Sequence, residues 1–198
     1  MIKQNFKGAF QAQLQGIRHM STAEIGEILA KCEMDSKLHL VRNVVRVVAN
    51  TGIRNLELAS LRMSDVDITG GWMAIKGRKV LFTRKVPLRP KTIAAIVSLH
   101  SRNPESPFVL GEFPILRMRI VIASLRLVWP RHPHGRFLLL SVRMSFTYRL
   151  MHAGISSTVV RYCAGHQDLS LSASKMALTP EDWLYILRQT RELFPEEL

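Results

Sequence analysis

The spacing of apolar residues predicts a run of amphipathic helices interrupted once by a short β segment. Phe6, Phe10, Leu14 and Ile17 fall on one helical face of a polar stretch, so residues 1–20 read as an arm able to dock as a short helix. Ser21-Thr22-Ala23-Glu24 has the form of a capping box, and Ile25, Ile28, Leu29 and Cys32 follow at three-to-four spacing. A second helix is expected from Lys37 to Asn50. Leu40, Val44, Val45, Val47 and Val48 make it strongly apolar, and Thr51-Gly52 closes it. Arg54 to Arg62 reads as a short helix, and Ser64-Asp65 opens a turn.

After Gly70-Gly71 the period changes. Trp72 to Ile75 reads as a strand, and Val80 to Leu88 as a second β-like run, split by Lys85 and ended at Pro87. Lys76-Gly77-Arg78-Lys79 joins them, giving a small hairpin with a positively charged tip. Helices are then expected from Pro90 to His100 and from Pro114 to Trp129, with a loop over residues 101–113 between them. A basic turn spans Arg131 to Gly135. A helix over Ser141 to Ala153 is closed by Gly154, and Ser156-Ser157-Thr158 caps another that runs to Gly165. On these two helices Tyr148 reads as a core residue and Tyr162 as a packing residue. Pro180-Glu181-Asp182 opens a last helix carrying Trp183, Leu184, Leu187 and Phe194. The organisation is an arm over residues 1–20 and one domain over residues 21–198, whose C-terminal helix covers residues 180–195. The expected class is mainly α with a small antiparallel β-sheet.

Composition narrows the partners. The 198 residues are 47% apolar, enough for a core, and only 22% charged, which is not a disordered composition. The formal net charge is +13, and arginine dominates lysine in the second half; guanidinium forks suit phosphate oxygens. Nucleic acid is the expected partner. Cys32 and Cys163 stand in apolar surroundings, which suits reduced thiols in a cytoplasmic protein better than a disulfide framework. No cysteine and histidine spacing suggests a metal. No apolar run is long enough to span a bilayer, so no membrane association is expected.

Three blocks then carry a resemblance. The string from Thr51 to Asp67, T-G-I-R-N-L-E-L-A-S-L-R-M-S-D-V-D, resembles the first arginine box of the tyrosine recombinase (phage integrase) family almost completely. The ending Lys85-Val86-Pro87-Leu88 is similar to the close of that family's β-hairpin. Arg143, Ala153-Gly154 and Gly165-His166 keep the family's two eleven-residue intervals. The resemblance covers roughly residues 21–180. It implies the catalytic-domain fold of these DNA breaking and rejoining enzymes and double-stranded DNA as partner. A homo-oligomer or a partner recombinase on DNA, and a bacterial plasmid or phage setting, come with it.

The implied chemistry uses no cofactor and no metal. Charge on a pentacoordinate phosphate is met by protein cations. By resemblance Arg54 and Arg143 contact the non-bridging oxygens, and Glu57 orients the first of them. Lys76 or Lys79 on the hairpin serves as general acid, Arg78 adds to the DNA surface, and His166 hydrogen-bonds a phosphate oxygen. Two departures stand out. Leu140 occupies the position of a family histidine, with His134 nearby in the preceding turn. Lys175 occupies the position of the nucleophilic tyrosine, where it can still contact DNA. Tyr185 is the alternative nucleophile, if the terminal helix is routed to the site or into a neighbour. Three readings follow: a DNA-binding member of the family with impaired or absent strand cleavage, an active recombinase using Tyr185 or a partner's tyrosine, and a non-DNA polyanion or protein interaction module.

Overall fold

The computed structural model describes residues 19–76, 83–130 and 138–165, together with residues 181, 182 and 185. Arg78, Lys79, His134, His166 and Lys175 lie outside the described residues, as do most of the N-terminal arm and most of the terminal helix.

Helix α1 (Thr22–Glu33) starts at the expected capping box. The Ser21 hydroxyl accepts from the Glu24 amide at 3.2 Å, and the Glu24 carboxylate accepts from the Ser21 amide at 2.8 Å. Its buried face is Ile25, Ile28, Leu29 and Cys32, as the spacing requires. The next helix is shorter than the sequence suggests. The Asp35 carboxylate accepts from the Lys37 amide and starts a 3-10 turn over Ser36–Leu38. Helix α2 (His39–Thr51) follows, and Val41, Val44, Val45, Val47 and Val48 are all buried. It packs against α1, α4 and α6, so α2 is the centre of the domain.

Gly52 ends α2 with φ of 62°. The left-handed conformation suits glycine. Space demands it too, since a Cβ there would lie 2.4 Å from the Phe146 ring. Helix α3 (Asn55–Ser60) is a turn and a half, not the longer helix expected to Arg62. Leu61 turns extended at φ −68°, ψ 125°, and Arg62 forms a bridge with Phe108.

The hairpin is part of a larger sheet than expected. Strand β1 (Val66–Asp67) pairs antiparallel with β2 (Trp72–Lys76), which pairs antiparallel with β3 (Thr83–Pro87), in the order β1-β2-β3. Met73 and Ile75 on β2 face the core, as do Arg84 and Val86 on β3, while Thr83 and Lys85 face outward. An arginine therefore shares the inward phase with a valine.

Helix α4 (Pro90–His100) has the bounds read from sequence, and α5 (Pro114–Val128) ends one residue early; both start at a proline. Helix α6 (Leu138–His152) starts three residues before Ser141, because Leu138 and Leu139 belong to the core. Helix α7 (Ser157–Cys163) is capped by Ser156 as expected, and packs against α6 and β3. Tyr148 is not a core residue. It is 40% exposed, with the His19 ring stacked on it at 3.6 Å between centroids and His152 tilted against it at 4.1 Å. Both cysteines are buried free thiols, pushed up by burial to about 11 for Cys32 and about 12 for Cys163. Among the described residues, no helix is long and apolar enough to cross a membrane.

Candidate functional site

Helix α7 ends against three arginines. Its last carbonyls have no helical partner among the described residues and carry the negative end of the helix dipole. The Cys163 carbonyl accepts from Arg84 Nε at 3.1 Å, the Ala164 carbonyl from Arg143 Nη2 at 2.6 Å, and the Gly165 carbonyl from Arg54 Nη2. Three successive carbonyls thus hold guanidinium groups from β3, α6 and the residue before α3. Arg143 is fixed a second time, since its Nε donates to the Gly52 carbonyl at 2.8 Å. The turn that ends α2 therefore anchors both arginines: Gly52 accepts from one, and Arg54 lies two residues on.

Glu57 neutralises part of this charge. Its Oε1 accepts from Arg54 Nη1 at 2.7 Å and from Arg84 Nη1 at 3.0 Å. Its Oε2 accepts from Arg84 Nη2 at 2.8 Å and from the Arg54 backbone amide at 2.8 Å. Both oxygens are saturated, which is what a buried carboxylate needs. Burial by itself would push this carboxyl up, but the Arg84 hydrogen bonds and charge, and then those of Arg54, hold it at about 2. Arg143 shifts downward to about 10, mainly through burial and then through repulsion from Arg54.

Charges in this cluster do not balance. Three guanidinium groups face one carboxylate, and the carbonyls contribute only partial charge. Arg84 is 1% exposed and Arg143 8%, whereas the Arg54 side chain is 38% exposed. The excess positive charge therefore reaches solvent at Arg54. Such an arrangement is suited to a small anion with oxygens for guanidinium donors.

Gly165 completes the packing at φ of 65°. A Cβ there would stand 2.6 Å from Arg84 Nη1 and 2.7 Å from Arg54 Nη1. The glycine of the Gly165-His166 pair is thus a space requirement.

Of the residues singled out from sequence, Arg54, Glu57 and Arg143 come together. Lys76 ends β2 largely exposed, and its ammonium pairs with Asp65 at 2.6 Å. Leu140 is half-buried on α6, and Tyr185 is 61% exposed. Sequence reasoning missed Arg84. Its position two residues before the apolar Val86 was the available signal, since residues at i and i+2 share a face of a strand.

The model of the phage integrase family matches residues 18–174. The tyrosine recombinase XerA of Thermococcus kodakarensis is 30% identical over 154 residues, covering 71% of this chain and 51% of the relative. The chain thus spans about half the length of that curated relative. Among solved structures, a crystal structure of XerA recombinase superposes with a TM-score of 0.62 at 18% identity, over 87% of this chain and 65% of that one. The Tn1549 transposon integrase in complex with transposon right end DNA superposes with a TM-score of 0.63 at 13% identity, over 88% of this chain and 66% of that one. At these identities the likeness shows the fold.

Proposed function

Because the chain belongs to the phage integrase family, we propose that it is a DNA-binding protein of site-specific recombination or integration in which Arg54 and Arg143 grip one backbone phosphate. The observation that carries this reading is the row of carbonyls at the end of α7, from which two family-motif arginines receive adjacent anchors. Anchored guanidinium groups lose little freedom on meeting a phosphate, so the contact is preorganised. His166, next in the chain after Gly165, adds an imidazole to the same phosphate, and Lys76 or Lys79 approaches from the hairpin. Arg78 and Lys175 extend the basic surface along the DNA backbone. Double-stranded DNA in a bacterial plasmid or phage setting is the partner, with further recombinase copies bound beside this one.

Strand cleavage is impaired or absent in this reading. A tyrosine oxygen forms the phosphodiester link in this chemistry, and Lys175 at the expected position offers an amine instead. The clamp without the nucleophile holds DNA and does not open it.

The test pairs binding with chemistry. Affinity for a short duplex should fall by orders of magnitude from low to moderate salt, as counterion release requires. A nicked suicide substrate should yield no covalent protein–DNA adduct under conditions where it is bound. An adduct that disappears in Tyr185→Phe would show the exposed Tyr185 to be the nucleophile, and the disabled reading would be dropped. Equal, salt-insensitive affinity for DNA and heparin would favour a polyanion module.

A further inference from the structure

Arg84 belongs to the cluster but has no solvent face from which to meet a ligand. It is 1% exposed, against 38% for the Arg54 side chain. What it does touch is specific. Its two Nη groups lie along both oxygens of Glu57, at 3.0 and 2.8 Å, and its Nε reaches the Cys163 carbonyl at 3.1 Å. One planar group therefore ties β3 to α3 and to the end of α7.

The consequence falls on Arg54. Both atoms that hold the Arg54 guanidinium, Glu57 Oε1 and the Gly165 carbonyl oxygen, belong to elements that Arg84 holds in turn. A Cβ at Gly165 would touch both guanidinium groups, so the two lie side by side against the same glycine. A carboxylate gripped at both oxygens by a buried fork cannot rotate, and the Arg54 guanidinium is then fixed in plane and direction. Arginine suits this role. A lysine at the same place is a single point charge, unable to span two carboxylate oxygens and a carbonyl at once.

We infer that Arg84 is a positioning residue of the phosphate clamp, acting on the bound anion only through the Glu57 carboxylate and the Arg54 guanidinium. This rests on the reading of Arg54 as a phosphate contact. It adds a residue that never reaches the DNA but sets how well Arg54 does.

The experiment is a cycle of DNA affinities on the full chain, using one short duplex at one salt concentration, with thermal unfolding measured for each variant. Arg84→Lys should weaken binding roughly tenfold when Arg54 is present, and by less than about twofold in the Arg54→Ala background. A packing role, or a phosphate contact made by Arg84 itself, gives the same loss in both backgrounds, and that result would overturn the inference. Should Arg54→Ala leave binding unchanged, the clamp reading itself fails, which is a separate outcome. Should Arg84→Lys not fold, the pair Arg84→Gln with Glu57→Gln removes both buried charges and keeps similar volume. Native affinity in that folded pair would equally overturn the inference, as would a loss no greater than that of Glu57→Gln alone or one that persists in the Arg54→Ala background; a further loss that vanishes in that background would support it.

Discussion

The Gly165 carbonyl accepts a hydrogen bond from Arg54 Nη2, while the missing side chain of the same glycine leaves room for Arg54 Nη1, which would lie 2.7 Å from a Cβ. One residue thus supplies the anchor and the space for the exposed guanidinium of the cluster. That guanidinium cannot simply swing aside, because Glu57 holds it from the other side at 2.7 Å.

Gly165→Ala should therefore affect binding more than stability. A left-handed alanine costs roughly 1–2 kcal/mol. Its methyl group also displaces Arg54 and Arg84 from the positions that Glu57 and the carbonyls define. Thermal unfolding should show a modest loss, and DNA titration a larger one than the stability change accounts for.

Glu57 gives the protein an acid-sensitive component. Its carboxyl is held at about 2 in the folded chain, against an ordinary value of 4.5. A depressed carboxyl stabilises the fold fully above the unfolded value, and that stabilisation is lost as pH falls from about 4.5 toward about 2. The shift corresponds to about 3 kcal/mol, as an order of magnitude. Denaturant titrations across this window should show Glu57→Gln with a flatter acid limb than the unaltered protein. At neutral pH the same variant should be destabilised by about 3–5 kcal/mol, since it leaves Arg84 buried without a counter-charge.

Arg143 and Arg149 sit on one helix and are both buried, yet they should behave differently. Each donates to a carbonyl near the end of α2: Arg143 to Gly52 and Arg149 to Ala49. Burial lowers both to about 10, but the next cause is Arg54 for Arg143 and Arg89 for Arg149. Replacing either with alanine should cost about 1–3 kcal/mol of stability through an abandoned carbonyl. Only Arg143→Ala should also cost DNA affinity, by about 2–5 kcal/mol, against no more than about 1 for Arg149→Ala. Equal losses of affinity would remove Arg143 from the site.

Gly52 offers a test of the scaffold. Its carbonyl carries Arg143, and a Cβ would strike the Phe146 ring. Gly52→Ala should lower the unfolding temperature, and Gly52→Ala with Phe146→Leu should recover part of it, leaving the cost of the left-handed backbone. No recovery would mean that the ring is not the obstacle.

Much of this arrangement could be read from residue order. The string from Thr51 to Asp67 placed Arg54 and Glu57 one turn apart, and the paired intervals after Arg143 picked out Gly165. Those are local or evenly spaced features. Arg84 was hidden because Thr83 and Lys85 beside it are polar, so the strand looks basic on both faces. Val86, two residues on, marks the inward phase, and the burial of Arg84 on β3 follows it. Tyr148 was misread for the reverse reason. An aromatic among apolar helix residues suggests a core, but here two histidines cover its ring at the surface. The third strand was missed because β1 is two residues long, too short for any period to register.

The most direct test of the account compares DNA affinities of Arg54→Ala, Arg143→Ala and the combined variant on one duplex at fixed salt. Two side chains that share a phosphate lose most of the contact when either goes, so the combined variant should bind only slightly more weakly than the poorer single variant. Losses that add to within about 0.5 kcal/mol would mean that the two arginines serve separate phosphates or none, and the clamp would not exist.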